Sequence, residues 1–143
     1  MNQNTTPATT TSVDWLLDEL VAKAGAQHAV LLSADGLVKA YSGGLDQDDA
    51  EAMAAVASGV QSLARSAGER FGGGPVQQTI IEMRDAFLLV TVAGEGACLA
   101  VQSDIDTDVS VVAYEVNMTV SQVDGHLRTP ARSHDASRTT KTS

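Results

Sequence analysis

One cysteine, Cys98, in 143 residues excludes an intramolecular disulfide and any zinc cluster built on thiolates. Aromatic residues make up only 3 % of the chain, so its core must be assembled from Val, Leu, Ala, Ile and Met. With hydrophobic residues at 43 %, there is enough apolar material to do so. No apolar run reaches the roughly 18 residues of a membrane-spanning helix. The opening residues 1–11, MNQNTTPATTT, have neither the basic n-region nor the apolar h-region of a secretory signal, which makes the cytoplasm the expected compartment. The length suits one ordinary domain and not comfortably two.

Basic side chains are also scarce, 9 against 18 acidic, for a net charge of −9. The imbalance is local. Residues 1–11 carry no charged side chain, while 128–143 carry Arg128, Arg132, Arg138 and Lys141 against Asp135. Both ends are rich in Ser and Thr and poor in core-forming residues, so they read as disordered tails. The segment 12–127 is then a strongly acidic body, which would repel a phosphate backbone and excludes nucleic acid as a natural partner. The short basic end, without an amphipathic anchor, gives no direct membrane insertion.

Within 12–127 the periodicities predict the order α-β-β-α-β-β-β-α. Ser12 caps a first helix whose apolar positions Val13, Leu16, Leu17, Leu20, Val21 and Ala24 follow helical spacing, with Gly25 as its stop. His28–Ser33 is a buried strand, Asp35-Gly36 a two-residue hairpin turn, and Leu37–Tyr41 the return strand. A long helix follows over 46–71, about 39 Å at 1.5 Å per residue. Its acids Asp46, Asp48, Asp49 and Glu51 crowd the start and its cations Arg65 and Arg70 the end, as a helix macrodipole favours. Met53, Val56, Ala57, Val60, Leu63 and Ala64 make an apolar stripe that the spacing assigns to the core. The strands Val76–Met83, Ala86–Ala93 and Ala97–Gln102 are joined by links short enough only for antiparallel hairpins. A last helix over about 106–126 carries Val109, Val112, Ala113, Val116, Val120, Val123 and Leu127. The fold class is α+β, a single five-stranded antiparallel sheet with helices on its faces.

No catalytic, cofactor or metal signature emerges. His28, His126 and His134 share no ligand spacing. Cys98 sits in an apolar strand and reads as a small core residue rather than a nucleophile. Neither Gly72–Gly74 nor Gly94-Glu95-Gly96 leads into the Gly-Lys-Ser/Thr of a phosphate-binding loop. Asp104, Asp106, Asp108 and Glu115 have calcium-loop spacing, but Val109 stands where that loop needs Gly. Acids at the start of the last helix account for the cluster more simply.

What the sequence does offer is surface. The long helix carries a second stripe of small residues, Ala52, Ala55, Gly59, Ser62 and Ser66. Gly in a helix interior costs about 1 kcal/mol relative to Ala, so Gly59 suggests the close approach of another backbone. The Leu37–Tyr41 strand carries Lys39, a common guard against edge pairing, whereas Gln77, Gln78, Thr79, Ile80 and Ile81 include neither Lys nor Pro. Ala52, Ala55, Gly59 and Ser62 of the helix, with Gln77, Thr79 and Ile81 of the strand, form the candidate dimer and partner interface.

The run Trp15-Leu-Leu-Asp-Glu-Leu20, the hairpin Ala29-Val-Leu-Leu-Ser-Ala-Asp-Gly-Leu37 and the long helix opening at Asp48-Asp-Ala-Glu51 resemble the roadblock/dynein light chain family, in its bacterial MglB type. The resemblance covers about 12–127. It implies a roadblock/profilin-like sheet in the order 2-1-5-4-3, the long helix on one face and the other two on the opposite face. It further implies dimerisation through the third strand and the long helix, and a non-enzymatic adaptor that binds and regulates a small Ras-like GTPase. Similar actinobacterial proteins add a histidine kinase-like partner. The alternative is a small-molecule-binding PAS/profilin-like sensor, although the single long helix and the lack of polar pocket candidates argue against it.

Overall fold

The computed structural model describes the backbone of residues 5–94 and 96–142, and the side chains of residues 13–94 and 96–125. Its elements follow the expected order: α1 (Thr5–Ala24), β1 (His28–Ser33), β2 (Val38–Tyr41), α2 (Gln47–Arg70), β3 (Gln78–Glu82), β4 (Ala86–Val92), β5 (Ala97–Asp104) and α3 (Val109–Thr142). All five strands join one antiparallel sheet in the order β2-β1-β5-β4-β3. Burial explains that order. β1, β4 and β5 are apolar on both faces and are buried along almost their whole length, so they occupy the middle. The short β2 and the alternating β3 can each satisfy only one neighbour and lie at the edges.

Two apolar layers sandwich the sheet. On one face, Leu17 and Leu20 of α1 and Val112, Val116 and Val123 of α3 pack on Leu31, Leu89, Leu99 and Val101. On the other, Ala50, Ala54 and Ala57 of α2 lie on Val30, Leu32, Leu88, Val90, Cys98 and Ala100. Each fully buried Leu contributes about 1.5–3 kcal/mol relative to exposure, and the scarcity of aromatics is met by this dense Leu/Val/Ala packing.

The β1–β2 turn differs from the two-residue expectation. Among the described residues only glycines adopt positive φ, so Asp35 does not take the left-handed conformation a type I′ turn requires, whereas Gly36 does, at +89°. Gly36 N–H donates to Ser33 O at 2.9 Å and Ser33 N–H to Leu37 O at 2.8 Å. The loop is therefore Ala34-Asp35-Gly36, a type I turn closed by a left-handed glycine. The Ser33 hydroxyl donates to the Asp35 carboxylate and accepts from Leu37 N–H at 3.1 Å, which holds the Asp35 carboxyl below the usual carboxylate range.

The acids at the helix starts act as caps. Asp46 is the N-cap of α2, its carboxylate accepting from Asp49 N–H at 2.8 Å. Ahead of α3, Asp104 accepts from Asp106 N–H at 2.8 Å and Asp108 from Ser110 N–H at 2.9 Å. At the far end of α2, a Cβ on Gly68 would collide with the Gly74 carbonyl, whose turn folds back so that Gly73 and Gly74 donate to Gly68 O. That close return brings the chain round to β3.

The helices reach further than expected. α1 begins at Thr5, so Ser12 is not its N-cap, and α3 extends to Thr142. Once nucleated, a helix propagates with one hydrogen bond per added residue and needs no buried face. The reading of 1–11 and 128–143 as disordered tails falls on residues 1–4 and 143, and on side chains before 13 and after 125, that lie outside the described residues; so do the side chains of His126, Leu127 and His134. The described core spans Leu16 to Val123. Removal of 1–11 and 129–143 is accordingly expected to leave Tm within a few degrees in a calorimetric scan.

One ionisable site on α1 makes stability depend on pH. Burial, then the nearby Asp18, raises the Asp14 pKa above its ordinary 3.8, against a backbone hydrogen bond from Tyr41. A raised carboxyl pKa favours the protonated form in the fold, so its stabilising effect is present at low pH and is lost as pH rises through the folded pKa. Asp14→Asn is therefore expected to raise Tm at pH 7 relative to the parent, with the gain vanishing below about pH 3.8. Thermal melts of both proteins across that range check it.

Candidate functional site

β3 is an uncovered edge, and its phase can be derived from the turn that follows. Met83 N–H donates to Ala86 O at 2.8 Å across the two-residue link Arg84-Asp85. Met83 and Ala86 are thus a hydrogen-bonded pair, and antiparallel alternation makes Ile81↔Leu88 and Thr79↔Val90 hydrogen-bonded pairs too. The outward N–H and C=O groups of Gln78, Ile80 and Glu82 then lie open along the edge. Of the expected strand residues, Thr79 and Ile81 spend their backbone groups on β4 and turn their side chains to the α2 face, and Gln77 precedes the strand. Of the residues available for main-chain pairing, the sequence reading placed Gln78 and Ile80 on the open edge but left them, with Glu82, out of the candidate interface. The length of the Arg84-Asp85 turn was the signal that could have found them.

α2 corrects a second expectation. Of the stripe Met53, Val56, Ala57, Val60, Leu63 and Ala64, only Ala57 is fully buried, while Val56 is 53 % and Leu63 75 % exposed. The sheet-facing run is Ala50, Ala54, Ala57 and Gln61. Methyl side chains let the helix axis sit close to the sheet, and the bulkier stripe is displaced to the flank. The predicted small-residue face, Ala52, Ala55, Gly59 and Ser62, is exposed, pointing away from the sheet. A Cβ built on Gly59 would meet nothing within 4 Å.

The displaced flank overlooks the half of the sheet that α2 leaves bare. A groove of about 420 Å³ runs between them, lined by Met53, Val56, Leu45, Met83 and Leu88, with Asp49 at its wall and His28 at its end. Met83, about half exposed, closes the groove at the β3–β4 turn, while Ile80, equally exposed, pairs with Leu89 and turns its side chain to the opposite face. An apolar flank of α2, an apolar groove and an unpaired strand edge are therefore contiguous on one side of the molecule. Contiguous exposed apolar surface of this kind is characteristic of interaction sites in general.

The other candidates take structural positions. Cys98 is buried in the layer under α2, and burial pushes its thiol pKa up against the opposing pull of Arg65. Arg84 lies in the hairpin turn, paired with Asp85 at 3.0 Å and largely in solvent. Among the described residues, no group of three or more His, Cys, Asp or Glu side chains is placed to hold a metal ion, and no helix is long and apolar enough to cross a membrane.

Residues 13–103 match the Roadblock/LC7 domain. A crystal structure of a Roadblock/LC7 domain from Streptomyces avermitilis is 49 % identical, covers 80 % of this chain and 96 % of its own, and superposes with a TM-score of 0.77. The chain belongs to the Roadblock/LC7 family. MglB of Myxococcus xanthus has the same fold at 18 % identity, TM-score 0.77, over 84 % of this chain and 90 % of that one. Profilin IB of Acanthamoeba castellanii shares it more distantly, at 17 % identity and TM-score 0.55, over 78 % of this chain and 96 % of that one. No curated protein sequence matches the chain.

In this Roadblock/LC7 domain, a side chain added at Gly59 tests association apart from folding. Gly59→Leu is expected to raise monomer stability by up to about 1 kcal/mol, the helix cost of glycine, and yet to weaken self-association by about 1–3 kcal/mol through overpacking. Sedimentation across a concentration series, read beside the melting curve, measures both.

Proposed function

We propose that this Roadblock/LC7 protein is a non-enzymatic homodimeric adaptor that binds and regulates a small Ras-like GTPase in a bacterial cytoplasmic signalling complex. The observation that carries the reading is the contiguity of the open β3 edge with the apolar flank of α2. Two copies paired β3 to β3 continue the sheet across a twofold axis and bring both α2 helices onto one surface. Family membership, with the fold shared with MglB, supports a GTPase as the partner for that surface. A histidine kinase-like protein as a further partner rests on the family resemblance alone.

Regulation in this reading needs no donated catalytic residue. An arginine finger has to reach a phosphate from an exposed position. The acidic body offers Arg65 and Arg70 near the end of α2, and Arg84, which is held by Asp85. The adaptor instead biases the GTPase's own switch loops, to an extent limited by its differential affinity for their two states. The acidic charge selects a basic partner surface, with association slowing as salt rises. The test is GTP turnover by the partner with the parent dimer and with Arg65→Ala, Arg70→Ala and Arg84→Ala. Retention of any stimulation in all three is expected. A loss of roughly a thousandfold in one variant, with binding intact, would identify a finger and overturn this mechanism.

A further inference from the structure

A second cavity, about 270 Å³, lies under the C-terminal half of α2, between that helix, the segment before β3 and Gly94 and Gly96. Val76 and Val92 give it apolar walls, and Cys98, which faces α2 from β5, also lines it. Gln61 and Arg65 of α2 complete it. Gln61 takes the fourth place in the sheet-facing run that begins Ala50, Ala54, Ala57, where an apolar side chain is the natural occupant. It is 5 % exposed, and its Oε1 has no hydrogen-bond partner. A buried acceptor left unpaired costs about 1–3 kcal/mol. Its terminal amide turns about a broad torsion and can present either end to a guest. Arg65 stands one helical turn further on, close enough for its charge to act on Cys98.

Residues four apart on a helix have Cβ atoms about 5–6 Å apart. With the amide turned so that the buried Oε1 faces the cavity, the acceptor and the cation are spaced to read two neighbouring groups of one small molecule: an anionic group on Arg65, and beside it an N–H or O–H for Gln61. The remaining walls take an apolar body. Sites for drug-sized ligands start at about 300 Å³, so this cavity suits a smaller guest. We propose that it is a binding site for small apolar carboxylic acids carrying a hydrogen-bond donor next to the carboxylate, such as α-hydroxy acids. The site is separate from the groove beside β3 and does not depend on the GTPase reading. It would give the adaptor a metabolite input.

The single cysteine makes the site readable in the full chain. Cys98 is alkylated with iodoacetamide at about pH 9, where a raised thiol still ionises in part, and the rate is followed by mass spectrometry. Three probes share one skeleton: α-hydroxyisocaproate, isocaproate, which lacks the donor, and isohexanol, which lacks the carboxylate. α-Hydroxyisocaproate is expected to slow alkylation saturably, with each analogue needing roughly tenfold more for equal protection. Gln61→Leu should abolish the preference for hydroxy acid over acid, and the exposed-site variant Arg65→Ala the preference for acid over alcohol. Unprotected Cys98 at about 20 mM of every probe, a concentration well above a millimolar Kd, would overturn the proposal. So would the same ranking of probes in Arg65→Ala.

Discussion

Ile80→Pro is expected to convert a dimer of the 14.8 kDa chain into a folded monomer. The N–H of residue 80 faces away from β4, so proline there removes no bond of the sheet. Its ring and missing donor instead block pairing along the open edge. Thr79→Pro is the contrasting variant. The Thr79 N–H bonds inward to β4, and its loss should lower monomer stability by about 3 kcal/mol, comparable to proline's cost elsewhere in regular structure. Light scattering and thermal melts of the pair separate association from folding. Equal losses of stability in both variants would mean that the phase assigned to β3 is wrong.

A second large effect is expected on α2. Leu63→Asp should leave the melting temperature of the monomer nearly unchanged, because Leu63 is 75 % exposed in the single chain. In the proposed dimer, with Leu63 in the contact between the α2 helices, it should weaken association at least a hundredfold, since a carboxylate placed in an apolar contact must be desolvated without a partner. If the bulky stripe instead faced the sheet, the same substitution would unfold the chain. The readout is the dimer dissociation constant by sedimentation, compared with the melting curve of the Ile80→Pro monomer carrying the same change.

The order of helices and strands along the chain was legible because long, strongly periodic segments leave few alternatives, whereas the strand order within the sheet and the sides taken by the helices came from the family resemblance. β4 reads Phe87-Leu-Leu-Val-Thr-Val92 and can only be central. α2 was legible as a helix but not in its orientation. Two stripes with the same period overlap on it, and hydrophobicity alone favours Val56 and Leu63 over Ala50 and Ala54. Close packing decided otherwise, since the smaller side chains allow the shorter helix–sheet distance. Gln61 was hidden for a related reason: a glutamine in an exposed-looking helix gives no hint that its position continues a buried alanine run. The β1–β2 hairpin was recognised from Asp35-Gly36, yet the turn gained a residue because Ser33 recruits the Asp35 side chain and leaves only Gly36 in the left-handed region.

The central claim, that a β3-paired dimer presents its α2 helices to a small GTPase, is tested most directly by calorimetric titration of the purified GTPase from the same cell. Parent protein, Ile80→Pro and Leu63→Asp are each titrated with the GTP-bound and GDP-bound forms. The account predicts that the parent binds one nucleotide state more tightly than the other, and that both variants lose most of that affinity while remaining folded. Full affinity in the monomeric Ile80→Pro variant, or no binding of any small GTPase by the parent, would contradict it.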